Sequence, residues 1–140
     1  MEPNLILSQA ARTTAGTLLL AIVFIEYGGL FVLRLVTGRQ TATPFQKTFS
    51  RAGHAHAGVL VILSLVVQLF ADALTLDGPL ATVARTGVPL AAILMPAGFF
   101  LSAIGRDRTE PNRFILLLYA GAVSLALGVV SLGAGLLGWI

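Results

Sequence analysis

Four long apolar runs organise the chain, over residues 13–36, 52–76, 83–104 and 114–137. Each is long enough to cross a bilayer as a helix of about 20 residues. The breaks between them carry turn chemistry: Thr37-Gly38-Arg39 ahead of Thr43-Pro44, then Asp77-Gly78-Pro79, then Gly105-Arg106-Asp107 ahead of Glu110-Pro111. Thr43-Pro44 and Glu110-Pro111 each read as a helix start, because proline in the first turn lacks only an N–H that has no partner there anyway. On this reading residues 44–50 form an interfacial turn before the second span. The pattern predicts an all-α, integral-membrane four-helix bundle, one transmembrane domain over residues 1–140.

Finer patterning distinguishes the spans. Pro89 and Pro96, seven residues apart in the third, lie on nearly one face, leave two carbonyls without their usual donors, and predict a kinked helix. In the fourth, Ala120, Ser124, Gly128, Ser131 and Gly135 fall on one side, the mark of a closely packed helix. The Gly-Arg-x4-Pro turns at Gly38–Pro44 and Gly105–Pro111 each follow a Gly-aromatic-aliphatic segment. The two halves read either as a worn tandem two-helix repeat or as basic-Gly-Pro connections that recurred by chance.

Composition agrees with a polytopic membrane protein: 56% hydrophobic residues, 11% charged, and a mean hydropathy of +0.91 do not suit a soluble domain of this length. The absence of cysteine excludes disulfides, thiolate metal sites and cysteine nucleophiles. No nucleophile-and-base set and no phosphate-cradling loop is present, which points away from an enzyme. Charge adds topology. Arg34, Arg39, Lys47, Arg51, Arg106, Arg108 and Arg113 flank the first and third connections, against Arg12 and Arg85 on the other side. By the positive-inside rule both basic connections face the cytoplasm of a cell (inner) membrane and both termini lie outside. The net charge of +3 is then a matter of topology and anionic lipid rather than nucleic acid. The first twelve residues lack a basic region ahead of an apolar one, so the first span is expected to remain in the mature protein.

Ionisable residues at membrane depth are costly, and each is a candidate site. Glu26, in FIEYGGL near the middle of the first span, must be neutral, paired or wet, since ionised it costs on the order of 2.5 kcal/mol or more. Arg34, Arg51 or a hydroxyl is its candidate partner. Both histidines sit at the start of the second span, in RAGHAHAGV. At 100° per residue, His54 and His56 lie about 200° apart and cannot share one ion. Gln68 and Asp72 fall within about 40° of the His54 face, giving a polar stripe roughly 27 Å long, close to the hydrocarbon thickness. His56 lies among Ala52, Gly53, Ala55, Ala57 and Gly58, where helices can approach closely. The antiparallel first span brings Glu26 near the depth of the histidines, so a pair of Glu26 with His54 or His56 is expected.

The runs R-A-G-H-x-H-A-G-V-L and L-M-P-A-G-F-F-L resemble those of small four-span bacterial membrane proteins of uncharacterised function, which implies an architecture and no activity. Over about ten residues the H-x-H is also similar to the haem-ligating helix of haem–copper oxidase subunits, where two imidazoles point to different metal centres; this chain lacks the other ligating helices. Two classes of function follow. One is proton- or ion-coupled transport or conduction, by a homo-oligomer, through Glu26, His54, Gln68 and Asp72. The other is a redox or metal module in which His54 or His56, with Glu26 as a further candidate ligand, holds haem or a divalent metal, with a dimer supplying the second imidazole. An accessory subunit of a larger membrane complex, with Arg34, Arg51 and His56 as helix contacts, is the third reading.

Overall fold

The architecture was determined as a computed structural model that describes residues 7–74 and 77–140. Its elements are α1 (Gln9–Val36), α2 (Pro44–Ala73), α3 (Gly78–Ser102) and α4 (Ile115–Leu136). All four are long and apolar enough to cross a membrane, as the apolar runs require. The chain is an all-α four-helix bundle.

Helix ends account for the differences from the predicted spans. α1 begins earlier than residue 13 because Ser8 caps it, its hydroxyl accepting the Ala11 N–H at 3.1 Å. The interfacial turn over 44–50 is instead the first part of one continuous helix. There Thr43 accepts the Gln46 N–H while the Gln46 side chain accepts the Thr43 N–H, a reciprocal cap that starts α2 at Pro44. The predicted end of the second span at residues 75 and 76 lies outside the described residues. Glu110-Pro111 does not start a helix. Asn112 intervenes, its side-chain amide donating to the Leu101 carbonyl, its N–H to the Ser102 carbonyl, and its Oδ1 accepting the Phe114 N–H. That clamp ties the connection to the end of α3 and delays α4 to Ile115.

The bundle is inside-out relative to a soluble protein. Phe24, Tyr27, Ile93, Leu116 and Val130 are exposed on its surface, where the solvent is hydrocarbon and burial against a neighbour gains little hydrophobic free energy. Small residues occupy the contacts. Gly87 on α3 faces Gly128 and the Ser124 carbonyl on α4, Gly98 faces Leu118, and Gly121 faces Met95, each too close for a β-carbon. The Ser124 hydroxyl donates to the Gly87 carbonyl at 2.8 Å across this seam. Of the stripe read on the fourth span, Gly128, Ser131 and Gly135 are buried, while Ala120 is exposed and Gly121 takes its place. Beneath the seam two clusters form the core: Val67, Ala84, Val88 and Leu132, then Leu60, Ala91 and Met95.

α1 is peripheral. It packs along α2, and its described residues make no close backbone approach to α3 or α4. Only Ala11, Leu18 and Leu35 of α1 are buried. The connections 37–43 and 103–114 dock together at one end of the bundle, where Gln46 donates to the Ala103 and Gly105 carbonyls and the Thr43 hydroxyl to the Arg108 carbonyl. All seven basic residues of the two flanked connections collect at that end.

Candidate functional site

α2 presents its two histidines to different neighbours, as their helical phase requires. His54 is half-buried against α1, where Gly28 and Gly29 leave room for the ring. A β-carbon on Gly29 would sit 3.1 Å from His54 Cε1. His56 turns toward α3 and lies 4.9 Å from the Phe99 ring, centroid to centroid. Its Nδ1 is 2.8 Å from the Ala52 carbonyl of its own helix. A carbonyl only accepts, so Nδ1 is the donor in this bond. Among the described residues no group of three or more His, Asp or Glu side chains is arranged to hold a metal ion.

The pair expected between Glu26 and a histidine is not formed. Glu26 is exposed, and its phase explains why: Gly29 meets His54 of α2, Leu18 and Ile25 line the cleft beside it, and Glu26 stands about 100° round from Ile25. The depth expectation holds, since Gly29, beside His54, is only about 4.5 Å further along the axis, but the azimuth does not. Arg34 and Arg51 are exposed as well. The two ion pairs among the described residues, Arg85–Asp72 and Arg106–Asp107, do not include them.

The stripe along α2 divides into two parts. Gln68 is 1% exposed and donates from Nε2 to the Arg85 carbonyl at 3.0 Å. Arg85 is four residues before Pro89, so this carbonyl is the one that Pro89 deprives of its helical N–H. Gln68 therefore repairs a proline defect on the neighbouring helix. Asp72, one turn on, accepts from Arg85 Nη2 at 2.7 Å and from the backbone and hydroxyl of Ser8, each at 2.8 Å. Arg85 also donates to the Ala71 carbonyl. The structure thus joins Gln68 and Asp72 with Arg85 and Ser8, neither of which the pattern of the sequence had singled out as a site residue. An arginine inside the third apolar run was the available signal for one; the serine eight residues into the chain resembles any N-cap.

His54 belongs to a different feature, a lateral cleft of about 530 Å³ between α1 and α3 with α2 as its floor. Thr13, Thr14 and Thr17 line one end, His54, Gly28 and Phe100 the other, and both Pro89 and Pro96 face it. Between His54 and Gln68 the floor is Ala57 and Val61, and Ser64, fully buried, donates its hydroxyl back to the Leu60 carbonyl. Glu26 does not line the cleft. Its carboxyl and that of Asp72 belong to separate places, since Ser8, which meets Asp72, is about 27 Å along α1 from Glu26. No protein-family model, no curated protein and no solved structure matches the chain, so function is argued from this geometry.

Proposed function

We propose that the chain is a subunit of a homo-oligomeric assembly in the cell membrane, with Glu26 as its intramembrane proton- or ion-binding carboxyl. The observation that carries this reading is the exposure of Glu26 on a helix that packs along only one neighbour. Glu26 is about 26 Å from the start of α1 and about 15 Å from its end, well inside the hydrocarbon. An ionised carboxylate facing acyl chains there is destabilised by on the order of 2.5 kcal/mol or more. A polar partner or water at a contact with another subunit would relieve that cost. A carboxyl at that depth and facing a subunit contact is the kind of group on which intramembrane proton and ion pathways are built.

Asp72 and Gln68 have partners within the chain and serve the bundle; the pathway runs past Glu26 at a subunit interface. By the positive-inside rule the seven basic residues at the docked connections support a topology with that end in the cytoplasm and both termini outside. The test uses protein reconstituted into liposomes. Dicyclohexylcarbodiimide adds covalently to protonated carboxyls in apolar surroundings, and it is expected to label Glu26 and to stop proton flux, with Glu26→Gln protein unlabelled and inactive. Flux undiminished in Glu26→Gln, or a Soret band in the purified protein that His54→Ala abolishes, overturns the reading, the second in favour of a haem module.

A further inference from the structure

Asp72 ties three helices at one point. Its Oδ2 accepts the Ser8 N–H, and its Oδ1 accepts both the Ser8 hydroxyl and Arg85 Nη2. The Ser8 hydroxyl in turn accepts the Ala11 N–H. One side chain therefore caps α1 and binds it to α2, and the carboxylate sits at the N-terminal end of α1, where the helix dipole favours a negative charge. Arg12, one turn into α1, is held by the Gln9 side chain rather than by Asp72. Asp72 has a side chain only 9% exposed and Arg85 24%, while Ser8 stands at the exposed edge of the tie.

Elsewhere α1 is loosely held. Near its other end it meets α2 through Gly28 and Gly29 lying on the His54 ring, with Leu35 buried less than two turns beyond. The α1 wall of the cleft, Thr13, Thr14, Thr17 and Ala21, makes no close backbone approach to α3. A helix pinned at one end, resting on a glycine pair at the other and open along one flank can rotate about the glycines.

We propose that α1 is a hinged helix, latched by Asp72 at its Ser8 end and pivoting where Gly28 and Gly29 cross His54, so that the latch sets the width of the cleft between α1 and α3. The lever from Gly28 to Ser8 is about 30 Å. A change in tilt of about 10°, small against the spread found among transmembrane helices, moves Ser8 by about 5 Å and the threonines by about 3–4 Å. With the latch closed, Ser8, Asp72 and Arg85 hold the cleft at its present opening. Released, the α1 wall swings while the docked connections at the basic end stay in place. This inference does not depend on the role assigned to Glu26.

The chain has no cysteine, so spin labels can be placed in pairs. One pair, Ala10→Cys with Leu80→Cys, spans α1 and α3 at the latched end; the other, Leu33→Cys with Ile104→Cys, spans α1 and the start of the 103–114 connection at the basic end. Pulsed electron–electron resonance on the full chain in phosphatidylcholine nanodiscs would compare native Asp72 with Asp72→Asn. The expected result is a shift or broadening of about 5 Å at the latched end and no change at the basic end. Ser8→Ala, which removes the hydroxyl bond and keeps the backbone one, is expected to act in the same direction by less, and it decides the matter if Asp72→Asn loses helical circular dichroism. Unchanged distances at the latched end, or equal broadening at both ends, overturn the hinge.

Discussion

The bond from Gln68 to the Arg85 carbonyl allows a sharp test, because the defect it repairs can be removed independently. Gln68→Leu keeps the volume roughly constant but leaves the Arg85 carbonyl without the donor it now has at 3.0 Å, at a site where the side chain is 1% exposed. Interhelical hydrogen bonds in membranes average roughly 0.6 kcal/mol and reach about 1.7, and an unsatisfied buried acceptor adds to that loss. The variant should therefore be less stable by about 1–2 kcal/mol. Pro89→Ala restores an N–H that can donate to the same carbonyl. In the Gln68→Leu background it should recover about 1 kcal/mol more than it contributes in the native background, a coupling that additivity forbids. Recovery is partial because Arg85 Nη1, 3.5 Å from Gln68 Oε1, is not compensated. The assay is equilibrium unfolding in mixed micelles of increasing dodecyl sulfate content, followed by far-ultraviolet circular dichroism, for the four proteins of the cycle. Effects that add to within about 0.3 kcal/mol refute the claim that Gln68 serves the carbonyl freed by Pro89.

Three further perturbations probe separate contacts. Gly87→Ala places a β-carbon 2.7 Å from the Gly128 Cα, a backbone clash that no rotamer relieves, and should cost about 1–3 kcal/mol in the same unfolding assay; native stability would show that α3 and α4 lie further apart. Gly29→Ala meets only the edge of the His54 ring, at 3.1 Å, which can tilt away, so its cost should stay below about 1 kcal/mol, and the histidine ring resonances should shift in a nuclear magnetic resonance spectrum where those of His56 do not. Gln46→Ala removes half of the reciprocal cap on α2 and both bonds to the Ala103 and Gly105 carbonyls. It should lower stability by about 1–2 kcal/mol and speed proteolysis within residues 103–114, and unchanged proteolysis would show that the two connections do not depend on each other.

What the sequence by itself determined is what each residue settles locally with its solvent. Lipid accepts a long apolar run only as a helix, so four runs of sufficient length specify four spans without knowledge of their neighbours. The same holds for the clustering of seven basic residues on two connections, and for His54 and His56 facing apart, since both follow from chain order and a 100° turn per residue. Helix ends were legible where the cap is sequence-adjacent, as at Thr43-Pro44, and illegible where it is not: Asn112 delays α4 by bonding to Leu101 and Ser102, eleven and ten residues back.

Only the tertiary structure decided the rotation of each helix about its own axis, and with it every partner. The pattern in α2 aligned Gln68 and Asp72, but that Arg85 and Ser8 would meet them depends on how α1 and α3 are turned. Glu26 had a depth in the sequence and no direction; a flank of α1 turned from the cleft leaves it on the surface of the bundle. The physical reason is common to these cases. Hydrophobicity, the strongest signal a sequence carries, is spent in this protein on contact with lipid, while helix is joined to helix by glycines and single hydrogen bonds whose partners lie far apart in the chain.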